Sequence, residues 1–88
     1  MSTQNIQDKQ IDRIELLKER IIRKAIEIIK EAGLCGIGMR PLAKAVGYST
    51  PMIYSYGGKL KAIRTEACKL LKIEYADRPD ELIDILSK

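Results

Sequence analysis

The sequence predicts an all-α chain, with a three-helix core followed by a fourth helix and a short C-terminal one. Strong helix formers dominate outside a few glycine-rich joints. Apolar residues recur at three- and four-residue steps, and no stretch alternates with period two long enough to read as a strand. Eighty-eight residues, 45% of them hydrophobic, can bury one small helical core but not a core plus an enclosed ligand cavity. Phe and Trp are absent, so Ile and Leu must supply most of the buried area.

Residues 1–8 are polar and read as a flexible N-terminal tail. From there Ile11, Ile14, Leu17, Ile21, Ala25 and Ile28 recur at helical spacing, widened by Ile22, Ile26 and Ile29. One long amphipathic helix from about residue 9 to Ala32 follows. Glu19 and Arg23 form a favourable pair four residues apart on its solvated face. Gly33 closes the helix through a positive φ. Gly33, Gly36 and Gly38 do not make a nucleotide-binding loop, because a helix precedes them and Pro41 stands where the third glycine belongs. Gly58-Lys59, followed by Leu60 and lacking a glycine at Ile53, is likewise no phosphate-cradling loop.

A second helix spans Met39–Val46, with Pro41 in its first turn, where no backbone donor is needed, and Gly47 ending it. The third starts near Ser49, whose hydroxyl can cap it, and runs past Pro51 to Tyr56. Gly57-Gly58 breaks it. The fourth starts near Lys59, buries Ile63, Ala67, Leu70, Leu71 and Tyr75, and ends before Arg78-Pro79. Asp77 then caps a last short helix carrying Leu82, Ile83, Ile85 and Leu86.

Cys35 and Cys68, with no histidine in the chain, cannot complete a four-ligand zinc site without carboxylates or a second chain. They read as two small buried hydrophobes with reduced thiols, and no metal or cofactor is expected. MSTQNIQDKQ lacks the pattern of a signal peptide and no apolar run reaches transmembrane length, so a cytoplasmic protein without a membrane partner is expected.

Charge is unevenly placed. Between Ala32 and Thr65 there is no acidic residue, while Arg40, Lys44, Lys59, Lys61 and Arg64 contribute five positive charges. The net charge of +4 therefore divides into +5 inside this window and −1 outside it. A one-sign field confined to one segment attracts a polyanion such as nucleic acid. Inside the window, Ala43 gives the small contact and Gly47 the sharp turn that two steeply crossed short helices need. Leu42, Val46 and Ile53 supply the apolar contacts that set the angle, and Tyr56 closes the far end. The pattern is that of a helix-turn-helix.

On these residues, namely KERIIRKAIEIIKEAG, then MRPLAKAVGYSTPMIYSY, then GGKLKAI, the chain from about Lys18 to Leu71 resembles the N-terminal DNA-binding domain of the TetR/AcrR family of transcriptional repressors. The resemblance implies a helix-turn-helix domain over residues 9–76. It makes residues 77–88 the start of a missing or vestigial effector-binding and dimerisation domain, so no small-molecule effector site is expected within this chain. It also implies that the hydroxyls of Tyr54 and Tyr56 reach phosphates. The chain departs from the family at Gly57, where a Phe usually stands, at Lys59, which aligns with the family's lysine only after a one-residue shift, and at Gly38. A Ser or Thr usually leads the second helix there, so a hydroxyl contact to phosphate is replaced by a backbone N–H alone.

The third helix is expected in the major groove of double-stranded DNA, presenting Ser49, Thr50, Pro51, Met52 and Ser55. None reads a base bidentately; Thr50 can hydrogen-bond, while Pro51 and Met52 offer apolar contact to thymine methyls, which tilts the preference toward A·T steps. Arg40, Lys44 and Lys59 are the expected cationic phosphate contacts, with Lys61 and Arg64 adding to the field. Tyr48, in the turn, either meets a phosphate or covers the core. A homodimer on DNA is expected, paired through Leu82, Ile83, Ile85 and Leu86 or through Ile11 and Ile14. The function expected is a sequence-specific DNA-binding regulator, a repressor occupying an operator. An alternative from another class is a protein-interaction module that pairs with a full-length homologue or another regulator and alters its DNA binding. An enzyme is not expected, since no histidine pairs with a cysteine and no metal cluster or phosphate loop is present.

Overall fold

The computed structural model describes the backbone from Ser2 to Lys88 and the side chains from Arg13 onward. Five α-helices follow one another: α1 (Ser2–Ala32), α2 (Met39–Val46), α3 (Thr50–Gly57), α4 (Leu60–Glu74) and α5 (Pro79–Leu86), with a 3-10 turn at Leu34–Gly36 between the first two. The described residues contain no strand, so the all-α class holds. Helix α1 starts at Ser2 instead of residue 9. Neither Gly nor Pro interrupts residues 2–9, so nothing in the backbone stops the helix where the apolar pattern fades. Met1 and the side chain of Ile11 lie outside the described residues.

Helix α1 is the post against which all the other helices pack. Its C-terminal half contributes Ile21, Ile22, Ala25 and Ile29 to a core completed by Ile37, Leu42, Ala43, Val46, Ile53, Ile63, Ala67 and Leu71. Thirty-one residues at ~1.5 Å each give a helix of about 46 Å, close to the longest dimension of the molecule, 50 Å. The apolar stripe therefore outruns its cover: Ile14, expected on the buried side, is half exposed.

The joints follow backbone chemistry. Gly33 closes α1 with φ 75. Lys88 Nζ donates to the Lys30 carbonyl at 2.7 Å, serving one of the free carbonyls that end α1. Ser49 does occupy the cap position of α3, but its hydroxyl makes no capping bond. A cap serves the amide of the second or third helical residue; the second here is Pro51, which has none, and Met52, the third, receives no bond from the hydroxyl. At α5 the boundary residue is Arg78 instead of Asp77, because Pro79 takes the first helical position and makes its predecessor the cap. Asp77 instead pairs with Arg78 Nε at 3.5 Å.

Three apolar expectations are corrected. Leu70 is exposed, since the buried line of α4 is the single row Ile63, Ala67 and Leu71, with Tyr75 packed beside the core. Cys35 is exposed because the 3-10 turn directs Leu34 and Ile37 inward instead; Cys68 is half-buried, and both thiols are free. Leu82, Ile85 and Leu86 do not form a free pairing face: they pack on the domain's own core, and only Ile83 of that group is exposed.

Candidate nucleic-acid interface

Helices α2 and α3 pack on each other across the turn at Gly47. Gly47 adopts the left-handed conformation with φ 87 and ψ 22, and its N–H and that of Tyr48 both donate to the Ala43 carbonyl, at 2.9 and 3.1 Å. Leu42, Ala43, Val46 and Ile53 are all buried in the common core. That leaves one face of α3 to solvent. Ser49, Pro51, Met52, Tyr54 and Ser55 are exposed and Thr50 is half-buried. No residue of this face carries a charge.

The cations lie on the neighbouring helices. Arg40 and Lys44, four residues apart on α2, are exposed on one side of that helix, Lys59 is exposed at the cap of α4, and Lys61 and Arg64 are exposed on that helix. Among the described residues none of these five enters an ion pair. The acidic side chains pair with other cations: Glu19 with Arg23, Glu27 with Lys24, Glu74 with Lys30, Glu66 with Lys69, and Asp77 and Glu81 with Arg78. None of the five is thus neutralised by an ion pair, although Glu66 shares a groove with Lys59 and Lys61.

The tyrosines divide. Tyr54 is half exposed, its ring free to reach outward. Tyr56 and Tyr48 are half-buried against the core. Tyr48 also lies beneath Arg20 of α1, whose guanidinium carbon is 6.0 Å from the ring centre, so α1 adds a cation beside the turn. Lys18 is a second contribution from α1: with Lys59 and Lys61 it lines an open groove of about 470 Å³ at the start of α4. Sequence reasoning missed both. Lys18 carries a faint signal as a charge on the apolar line of Ile14 and Ile21; Arg20 carries none, since only folding sets it beside Tyr48.

Packing at the α3–α4 corner accounts for a glycine at position 57. Gly57 remains helical and buried, and a Cβ there would stand 3.1 Å from Ile21 Cγ2 and 3.2 Å from Ile63 Cδ1. Two isoleucines fill the space an aromatic would need. The chain breaks one residue later, at Gly58, with φ 83, and Lys59 follows in extended conformation as the cap of α4. No helix among the described residues is long and apolar enough to cross a membrane. Comparison with family models, curated proteins and solved structures finds no match to this chain.

Proposed function

We propose that this chain is a sequence-specific double-stranded DNA-binding regulator of transcription, a cytoplasmic, non-enzymatic repressor that occupies an operator as a homodimer. The observation that carries this reading is the uncharged, solvent-facing side of α3, with five exposed cations on the neighbouring helix α2 and the first half of α4 that enter no ion pair among the described residues. Two short helices packed across the left-handed Gly47 support reading α2 and α3 as a helix-turn-helix, and the TetR/AcrR resemblance supports the same role. In this reading α3 lies in the major groove. Thr50 and Ser55 hydrogen-bond to base edges, and Pro51 and Met52 touch thymine methyls. Arg40, Lys44 and Lys59 meet phosphates, joined by the Tyr54 hydroxyl and by Lys18 and Arg20 from α1. Tyr48 and Tyr56 act mainly through packing, with their hydroxyls at the edge of the site.

The test is fluorescence anisotropy of the purified protein on duplex DNA from upstream of its own gene and on a shuffled duplex, across a salt series. Tighter binding to the native duplex that weakens steeply with salt supports the reading. Combined replacement of Arg40, Lys44 and Lys59 by Gln should lower the salt slope by about one unit per lost cation; adding Tyr54→Phe should weaken binding further. Equal, weak binding to both duplexes would instead favour the interaction module.

A further inference from the structure

We infer that the outward face of α3 selects the C5-methyl group of a pyrimidine and not the base that carries it. On this face 5-methylcytosine takes the place of thymine, and methylation of cytosine within a site strengthens binding. The inference rests on the DNA-binding reading above and specifies what that surface recognises.

The buried residues of α3 are Ile53 and Gly57, four apart on its inner side. At ~100° per residue, the opposite side carries Pro51 and Ser55, with Met52 adjoining them. All three are exposed, Met52 at 38%. Pro51 and Met52 lie four and three residues before Ser55, so an apolar ring and a thioether sit one turn from its hydroxyl. Tyr54 stands to the flank, and Thr50 is half-buried at the helix start.

The chemistry of this face excludes the usual base readers. Guanine is read by Arg or Lys, adenine by Asn or Gln, and cytosine N4 by Asp or Glu; α3, TPMIYSYG, has none of these, and no carboxylate stands on α2. What remains is hydroxyls. The Thr65 hydroxyl is committed to the Lys61 carbonyl of its own helix at 2.8 Å, whereas that of Ser55 has no partner among the described residues. A free hydroxyl both donates and accepts, so it meets the O4 acceptor of thymine and the N4 donor of cytosine alike. The polar difference between the two pyrimidines therefore goes unread. The discriminating feature left is the C5 methyl, an apolar group in the major groove, for which Pro51 and the adaptable Met52 side chain supply apolar contact. 5-Methylcytosine carries that methyl at the same ring position.

Anisotropy titration of the full chain tests this on three forms of the duplex from upstream of its own gene. Deoxyuridine in place of thymidine removes only the methyl, and each methyl in contact should cost about 4-fold in affinity. At the T·A pair most sensitive to that change, C·G should bind more weakly still, and 5-methylcytosine·G should recover about 4-fold over C·G. Pro51→Ala with Met52→Ala, at two exposed positions, should bring the thymine-to-uracil ratio toward one while leaving the salt slope, which counts phosphate contacts, unchanged. A preference for the native over a shuffled duplex that survives uracil substitution overturns the inference and leaves the DNA-binding reading standing, as does equal binding of C·G and 5-methylcytosine·G. Equal, weak binding to native and shuffled duplexes removes both.

Discussion

At the scale of single residues, two glycines next to α3 make different demands. Gly47 is left-handed with open space where a Cβ would go, so Gly47→Ala costs only the backbone term, about 1 kcal/mol. Gly58, with φ 83 and ψ −162, sits in a region almost closed to other residues, and Gly58→Ala should cost about 2–3 kcal/mol. Urea denaturation of the two variants measures the gap; equal costs would refute this distinction. Gly57 is constrained by packing instead. Replacing it with Phe, the residue the resembled family favours, must displace Ile21 and Ile63 and should destabilise the domain by about 1–3 kcal/mol, read as a lower midpoint in the same experiment.

At the scale of elements, α5 is part of the domain it follows. Leu82 and Leu86 rest on the core, and each is half-buried, so Leu82→Ala with Leu86→Ala should lower unfolding stability by about 2–3 kcal/mol. If α5 were an independent appendage the loss would be near zero. A second link closes this end of the molecule: Lys30 of α1 donates to Glu74 Oε1 of α4 at 3.0 Å and lies 5.5 Å from the Tyr75 ring centre. The hydrogen bond to Glu74 is the main cause that raises the Lys30 ammonium above its ordinary 10.5, against a smaller desolvation effect. Because the folded value is the higher one, the link's stabilisation is complete below pH 10.5 and fades as pH rises through the raised value. The stability difference between wild type and Lys30→Met, at most about 1 kcal/mol for so exposed a pair, should be flat through neutral pH and shrink above that point. A difference that grew with alkalinity would contradict the assignment.

For the whole molecule, charge and shape act together. Ion pairs neutralise much of α1, the outer side of α4 and the start of α5, while the five cations of α2 and the first half of α4 enter no ion pair among the described residues. If three to five of them meet phosphates, the logarithm of DNA affinity should fall with the logarithm of salt at a slope of about −3 to −5 per protomer, measured by the anisotropy titration. A slope near zero would separate this surface from any polyanion.

The local sequence determined the helices and most of their ends. Periodic apolar residues specified α1 and α4, and proline at a helix start with glycine at a helix end marked α2 and α3, because these signals act within a few residues and need no distant partner. The acid-free window was equally plain, being a count along the chain. Tertiary structure decided what lies opposite what. It left Ile14 and Leu70 in water, turned Leu82 and Leu86 inward, set Arg20 over Tyr48 and Lys18 beside Lys59, and pressed Gly57 against two isoleucines. A helical stripe records that a side must be covered; only the lengths and crossings of the neighbouring helices determine how far along that stripe the cover extends.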